Sequence, residues 1–222
     1  MTMMVMLPAA LAVVLVACGF SGSTASAAPA APAAATHSAP VTRSELSLYL
    51  AMRTLWEQHM EFTYDTVAAF AAGSKALTPT LDRLLQNQSD IGNAVKPFYG
   101  TAAGNELTRL LRTHILDYVP VLEAAKAGNK AGVEKAFAAV LANGVQVGKF
   151  LEHANPRSWP APEMEQMMTV HNDQTLQYAA DQLEGKYAAS IAEYGKAEAH
   201  MQEMSDMLSA GIIRQFPRKF AS

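Results

Sequence analysis

Four histidines, His59, His114, His171 and His200, are the side chains of this 222-residue chain best suited to chemistry. Imidazole titrates near neutrality, and in its neutral form it ligates Zn, Cu or Ni. Their spacing is regular. His59 is followed by Gly73 and Gln88, His114 by Gly128 and Asn143, and His171 by Gly185 and His200. In each set the glycine comes 14 residues after the histidine, and the polar partner 15 residues after the glycine. Successive histidines lie 55 and 57 residues apart, a period that marks repeated supersecondary units. Brought to one level, the six polar side chains would form a layer with two chemical uses. As a metal centre it would use the four histidines, with Gln88, Asn143, Asp90 and Asn93 as further polar contacts for a bound group. As a structural device its members would satisfy one another and Thr63, Thr175, Tyr118 or Tyr178, fixing the register of similar hairpins.

Charge and ligand type bear on the metal reading. Four neutral imidazoles leave a buried divalent ion uncompensated. Asp90 and Glu203 lie two and three residues beyond layer positions, and Asp173 and Asp206 lie within two turns. Met164, Met167, Met168, Met201, Met204 and Met207 crowd the third set and favour Cu(I) where they converge, although methionines at helical spacing also serve as core filler. Spacing argues against the familiar bundle cofactors and leaves only non-covalent haem held between His and Met among them. No Glu-x-x-His pair of the di-iron type is present, and neither are His-x-x-x-His, His-x-x-x-Glu or the haem-attaching Cys-x-x-Cys-His. His171 with Asp173 makes a poor acid–base pair, because residues two apart diverge on a helix. No catalytic residue is assigned, and an enzyme is the least supported class.

The elements that must position these groups are helices. Leu55 and Trp56 precede His59, while Thr63, Val67 and Phe70 follow it at helical offsets. Leu110 and Leu111 precede His114, with Tyr118, Val121 and Leu122 after it; Met167, Met168, Tyr178 and Ala179 frame His171 in the same way. Each histidine therefore lies in an apolar stripe and faces inward. Gly73, Gly128 and Gly185 suit the left-handed residue that ends a helix. Second helices are expected from about Pro79, with Thr78 as its N-cap, and from about Lys130 and Tyr187. Fourteen or fifteen residues of helix rise about 21 Å, so each histidine and its partner reach the same height on antiparallel arms. Tyr99-Gly100 ends the first unit, and Asn155-Pro156 with Trp159-Pro160 separates the second from the third. The expected fold is all-α: six helices as three antiparallel hairpins packed into one helical bundle over residues 42–217, with a short tail at 218–222.

Half of the residues are hydrophobic, 17% are charged, and the net charge is −3, which suits one well-filled domain and offers no basic stripe for nucleic acid. No charged residue precedes Arg43. Val5 to Ala17 is apolar and short for a membrane span, so it reads as the core of a signal peptide. Leu15-Val16-Ala17-Cys18 resembles the bacterial lipobox, in which the cysteine is lipid-modified. Cys18 is the only cysteine, which excludes an internal disulfide. Met1-Thr2-Met3-Met4 lacks the usual positive charge, and Ala25-Ser26-Ala27 offers a cleavage site for simple secretion. The expectation is a signal peptide over residues 1–18, a disordered Ala/Ser/Pro tether over 19–41, and a cell-envelope protein whose membrane partner is the lipid on Cys18.

Leu55-Trp56-Glu57-Gln58-His59, Gly92-Asn93-Ala94-Val95-Lys96-Pro97-Phe98-Tyr99-Gly100 and Gly211-Ile212-Ile213-Arg214-Gln215-Phe216-Pro217 resemble a group of small bacterial all-helical proteins of unassigned function. The resemblance spans roughly residues 45–217. Some members carry automatic names such as acetylglutamate kinase or glycosyltransferase; this chain has neither a glycine-rich phosphate loop nor alternating strands and helices to support them. The resemblance implies the all-helical fold and no chemistry. The functional expectation is an exported, lipid-anchored bundle whose buried His/Asn/Gln layer binds a metal ion. The alternative is a structural or protein-interaction module whose layer only fixes helix register, with Trp56, Phe98, Tyr99, Trp159 and Phe216 available for a partner.

Overall fold

Among the described residues five helices pack together, each against its neighbours in sequence, and the last closes on the first. They are α1 (Arg43–Ala72), α2 (Leu77–Lys126), α3 (Lys130–Ala154), α4 (Ala161–Leu183) and α5 (Tyr187–Gln215), followed by a 3-10 turn at Pro217–Lys219. This is a computed structural model that describes residues 41–221. The expected signal peptide, Cys18 and nearly all of the expected tether lie outside the described residues. No helix among the described residues is long and apolar enough to cross a membrane.

Local chemistry sets the boundaries. Thr42 and Glu45 form a reciprocal capping box that starts α1. The three glycines of the repeat have φ of 60°, 67° and 74°, at Gly73, Gly128 and Gly185. Each sits in the same double-bonded cap. Ser74 N–H donates to Ala69 O at 2.9 Å, Asn129 N–H to Ala124 O at 2.9 Å, and Lys186 N–H to Asp181 O at 2.8 Å. Gly73, Gly128 and Gly185 donate the second, shorter-range bond. These are Schellman caps, and a side chain at the glycine would be strained. Asn155, Pro156 and Trp159-Pro160 break the chain between α3 and α4 as expected. Asn155 Nδ2 ties the break to α5 by donating to Gly211 O at 2.9 Å.

Two features differ from the sequence reading. At Tyr99-Gly100, where the first unit was expected to end, the helical path breaks at the single residue Gly100, with φ 85° and ψ 168°, and no separate loop follows. Helical bonding resumes on both sides, so five helices are present among the described residues where six were expected. The two limbs of α2 nonetheless touch. A Cβ on Gly92 would fall 2.5 Å from Gly104 O, and Arg112 Nη1 donates to Leu85 O at 2.9 Å. The second difference is at the start of α2, where Thr78 is not the N-cap. The helix begins at Leu77 with Ala76 in that place, and Pro79 follows where its missing N–H costs nothing.

Period-four stripes supply the core. Met52, Trp56, Met60 and Val67 come from α1; Ile91, Val95, Leu107 and Leu111 from α2. Val147 and Leu151 of α3, Met164 and Met168 of α4, and Met201, Met204, Leu208 and Ile212 of α5 complete it. The tail also joins it. Phe220 is buried, stacks on Phe98 with centroids 5.7 Å apart, and accepts at its carbonyl from Thr42 Oγ1 at 2.9 Å.

Candidate functional site

His59 of α1, His114 of α2 and His171 of α4 meet at one level of this core, each at most 3% exposed. His171 lies between the other two, its ring centroid 5.7 Å from that of His59 and 5.9 Å from that of His114. The expected amide partners are in place. Gln88 Nε2 lies 3.2 Å from His59 Nδ1, and Asn143 Oδ1 lies 3.0 Å from His114 Nδ1. Both amides are oriented by backbone carbonyls, since Gln88 Nε2 also donates to Leu84 O and Asn143 Nδ2 to Leu110 O.

Those orientations decide the tautomers. Gln88 presents a donor, so His59 Nδ1 accepts and its proton sits on Nε2. Asn143 presents an acceptor, so His114 Nδ1 donates and its Nε2 is a bare lone pair. Burial first, and then the nearby His114, pushes His59 down to about 3, while Gln88 opposes the shift. His114 is pushed down to about 4 by burial, against its bond to Asn143 and the neighbouring Asn172 amide, which both oppose the shift. His171 is held well below its ordinary value by burial and by the neighbouring histidines. All three rings are therefore neutral at physiological pH.

The layer is not fully satisfied. His114 Nε2, His171 Nδ1, Gln88 Oε1, Thr175 Oγ1 and both side-chain atoms of Asn172 are buried without a hydrogen-bond partner. Leaving a buried polar group unmet costs about 1–3 kcal/mol. Space is available on both sides. One cavity of about 40 Å³ lies towards Trp159 and is lined by His59, His114, His171, Trp56 and several methionines. Another of about 190 Å³ lies towards Gly73, where Thr63, Thr66, Tyr118, Thr175, Phe70 and Leu122 line it with the same three histidines.

The structure does not bring His200 into this group. Its Nε2 donates to Met167 O at 3.0 Å, and its side chain is only partly buried. The reason is rotational. The buried stripe of α5 runs through Ala197, Met201, Met204, Ser205 and Leu208, which leaves His200 one residue, about 100° around the helix, off its centre. Asp90 is also turned outward, where it accepts from Gln86 Nε2 at 3.0 Å and pairs with Arg83. Asn93, Asp173 and Glu203 are exposed, and Asp206 is engaged by Arg53. Among the described residues, no group of three or more His, Cys, Asp or Glu side chains is disposed to hold a metal ion.

Two members of the layer were missed in the sequence. Asn172 is 1% exposed beside His114, and Asn87, fully buried, donates to Leu55 O at 3.0 Å. Each immediately neighbours a residue of the repeat, His171 or Gln88, and an adjacent Asn was the available signal. Gly144 makes the room for Asn172, because a Cβ there would lie 3.1 Å from its Nδ2. No family model, curated protein or solved structure matches the chain.

Proposed function

We propose that the chain is an exported binding protein, held at the cell envelope through a lipid on Cys18, that takes a small guest of low charge at its histidine layer. The observation that carries this reading is the pair of unmet nitrogens, His114 Nε2 and His171 Nδ1, in residues that line both cavities. A layer serving only to fix register would be expected to close its hydrogen bonds. Here the amide partners hold two rings from behind, which leaves a ring donor on His59 and a ring acceptor on His114 for something else. The larger cavity, about 190 Å³, exceeds the ~150 Å³ that admits benzene in an engineered protein interior. Neutral rings suit a guest that brings little charge of its own. Export and anchoring rest on the apolar Val5 to Ala17 segment and the single Cys18 of the lipobox-like sequence.

The finer architecture we propose is three hairpins, with the limbs of α2 on either side of Gly100 belonging to the first and second. The paired approaches of Gly92 to Gly104 and of Arg112 to Leu85 support it, as do the three matching caps. On this plan each of the three turns lies the same distance from the layer.

A second reading is favoured by a different observation. The bonds His59–Gln88 and His114–Asn143 each link the two members of a repeat at 29 residues' separation, as a register device would. Thermal melting separates the two. Untagged protein and His114→Gln would be melted with a panel of small phenols, azoles and amines and with Zn, Cu and Ni salts. The binding reading expects at least one compound to raise the melting temperature of the parent and not of the variant. If no compound moves the parent while His114→Gln destabilises it by about 1–3 kcal/mol, the layer is structural.

A further inference from the structure

We propose that the smaller cavity is a site for a soft monovalent metal, Cu(I), bound by His114 Nε2 and His171 Nδ1 together with thioether sulfurs of the surrounding methionines. The inference rests on the reading that the histidine layer takes a guest, and it names the guest for one of the two chambers. Met52 of α1, Met168 of α4, and Met201 and Met204 of α5 all line this cavity, each at most 4% exposed. Methionine is the side chain best able to collapse into a gap, yet four of them border a void of about 40 Å³ beside two nitrogens without partners. That volume holds one ion or a water rather than an organic molecule.

Softness and charge both select the ion. Thioether and imidazole together suit Cu(I), whereas hard or borderline divalent ions favour carboxylate, thiolate or water. The nearby carboxylates supply no compensating charge, because Asp90, Asp173 and Glu203 face outward and Asp206 is taken by Arg53. A single positive charge among neutral ligands is the least costly cation to bury there. The support behind His114 is also that of a metal ligand. Its Nδ1 donates to Asn143 Oδ1 at 3.0 Å, which leaves Nε2 as the lone pair facing away from that amide.

The test uses the full chain carrying Cys18→Ala, so that the thiol does not compete for the ion. Ag(I), a redox-inert stand-in, and Cu(I) under anaerobic reducing conditions are the probes. Both tryptophans of the chain, Trp56 and Trp159, line the cavity, so one equivalent of either ion should quench their fluorescence. Met201→Leu with Met204→Leu, a volume-conserving pair, should weaken binding by about tenfold or more while far-UV dichroism is unchanged. Asn143→Ala should weaken it by about 10–100-fold through the loosened His114 ring. X-ray absorption of the copper form should show nitrogen and sulfur scatterers together. Unquenched tryptophan, affinity unchanged in the methionine variant, or a copper shell without sulfur would each overturn the assignment. If an organic compound still raises the melting temperature through His114 while Ag(I) does not bind, the copper assignment fails alone. If neither binds, the broader binding reading falls with it.

Discussion

Acidification should destabilise this bundle at a pH where most proteins are still near their best. The cause is three imidazoles that are neutral in the fold and chargeable in the open chain. His59 is pushed down to about 3, His114 to about 4, and His171 well below its ordinary value, each chiefly by burial. In the unfolded chain each regains a value of about 6.5. Between those limits the unfolded state binds more protons, so stability is fully present above about 6.5 and is lost as the pH falls. At pH 5.5 each ring lowers the unfolding free energy by about 1.4 kcal/mol, and three lower it by about 4 kcal/mol. That is a large share of the 5–15 kcal/mol typical of a domain. With a urea slope of about 2 kcal/mol/M, the midpoint should drop by about 2 M between pH 7.5 and 5.5. Urea denaturation followed by far-UV circular dichroism measures the effect, and His114→Gln should reduce it by about a third. Equal midpoints at the two pH values would refute the reasoning, because the rings would then be charged or solvated in the fold.

Three further outcomes follow from particular residues. Thr175 Oγ1 is buried without a partner, so Thr175→Val should leave stability unchanged or raise it by up to about 1 kcal/mol in thermal melts. Gly100 sits at φ 85° and ψ 168°, with open space where a Cβ would go, so Gly100→Ala should cost about 1–3 kcal/mol from backbone strain alone, measured by urea denaturation. Cys18→Ala should move the protein from the membrane fraction to the soluble fraction on detergent partitioning; an unchanged distribution would remove the lipid anchor from the proposal.

The helical plan and most of the layer could be read from apolar spacing, because His59, Gln88, His114, Asn143 and His171 all sit within the stripes that become core. The start at Lys130, capped by Asn129, and the turns at Gly73, Gly128 and Gly185 follow from local cap chemistry that needs no partner, and Tyr187 simply resumes the helix after Gly185. What depended on tertiary contact was harder to read. His200 has the right height but the wrong phase, and a count of residues fixes height only. Asn172 looks like a solvent-facing neighbour of His171 until Gly144 on α3 leaves it a gap. Tyr99-Gly100 reads as the end of a unit, but that the break is confined to the backbone of Gly100 alone is not legible in the residue types. The burial of Phe220 depends on Phe98, more than a hundred residues away in sequence.

The central claim is that three neutral imidazoles, two of them fixed in opposite tautomers, present unmet nitrogens to an interior guest. Nitrogen-15 spectra of the histidine side chains at neutral pH, before and after a guest is added, test it most directly. The account predicts three uncharged rings, with the proton on Nε2 of His59 and on Nδ1 of His114. It further predicts that His114 Nε2 moves most when one equivalent of Ag(I), or of a compound that raises the melting temperature, is added. A charged ring in the layer, the same tautomer at His59 and His114, or a His114 Nε2 resonance indifferent to every guest would contradict it.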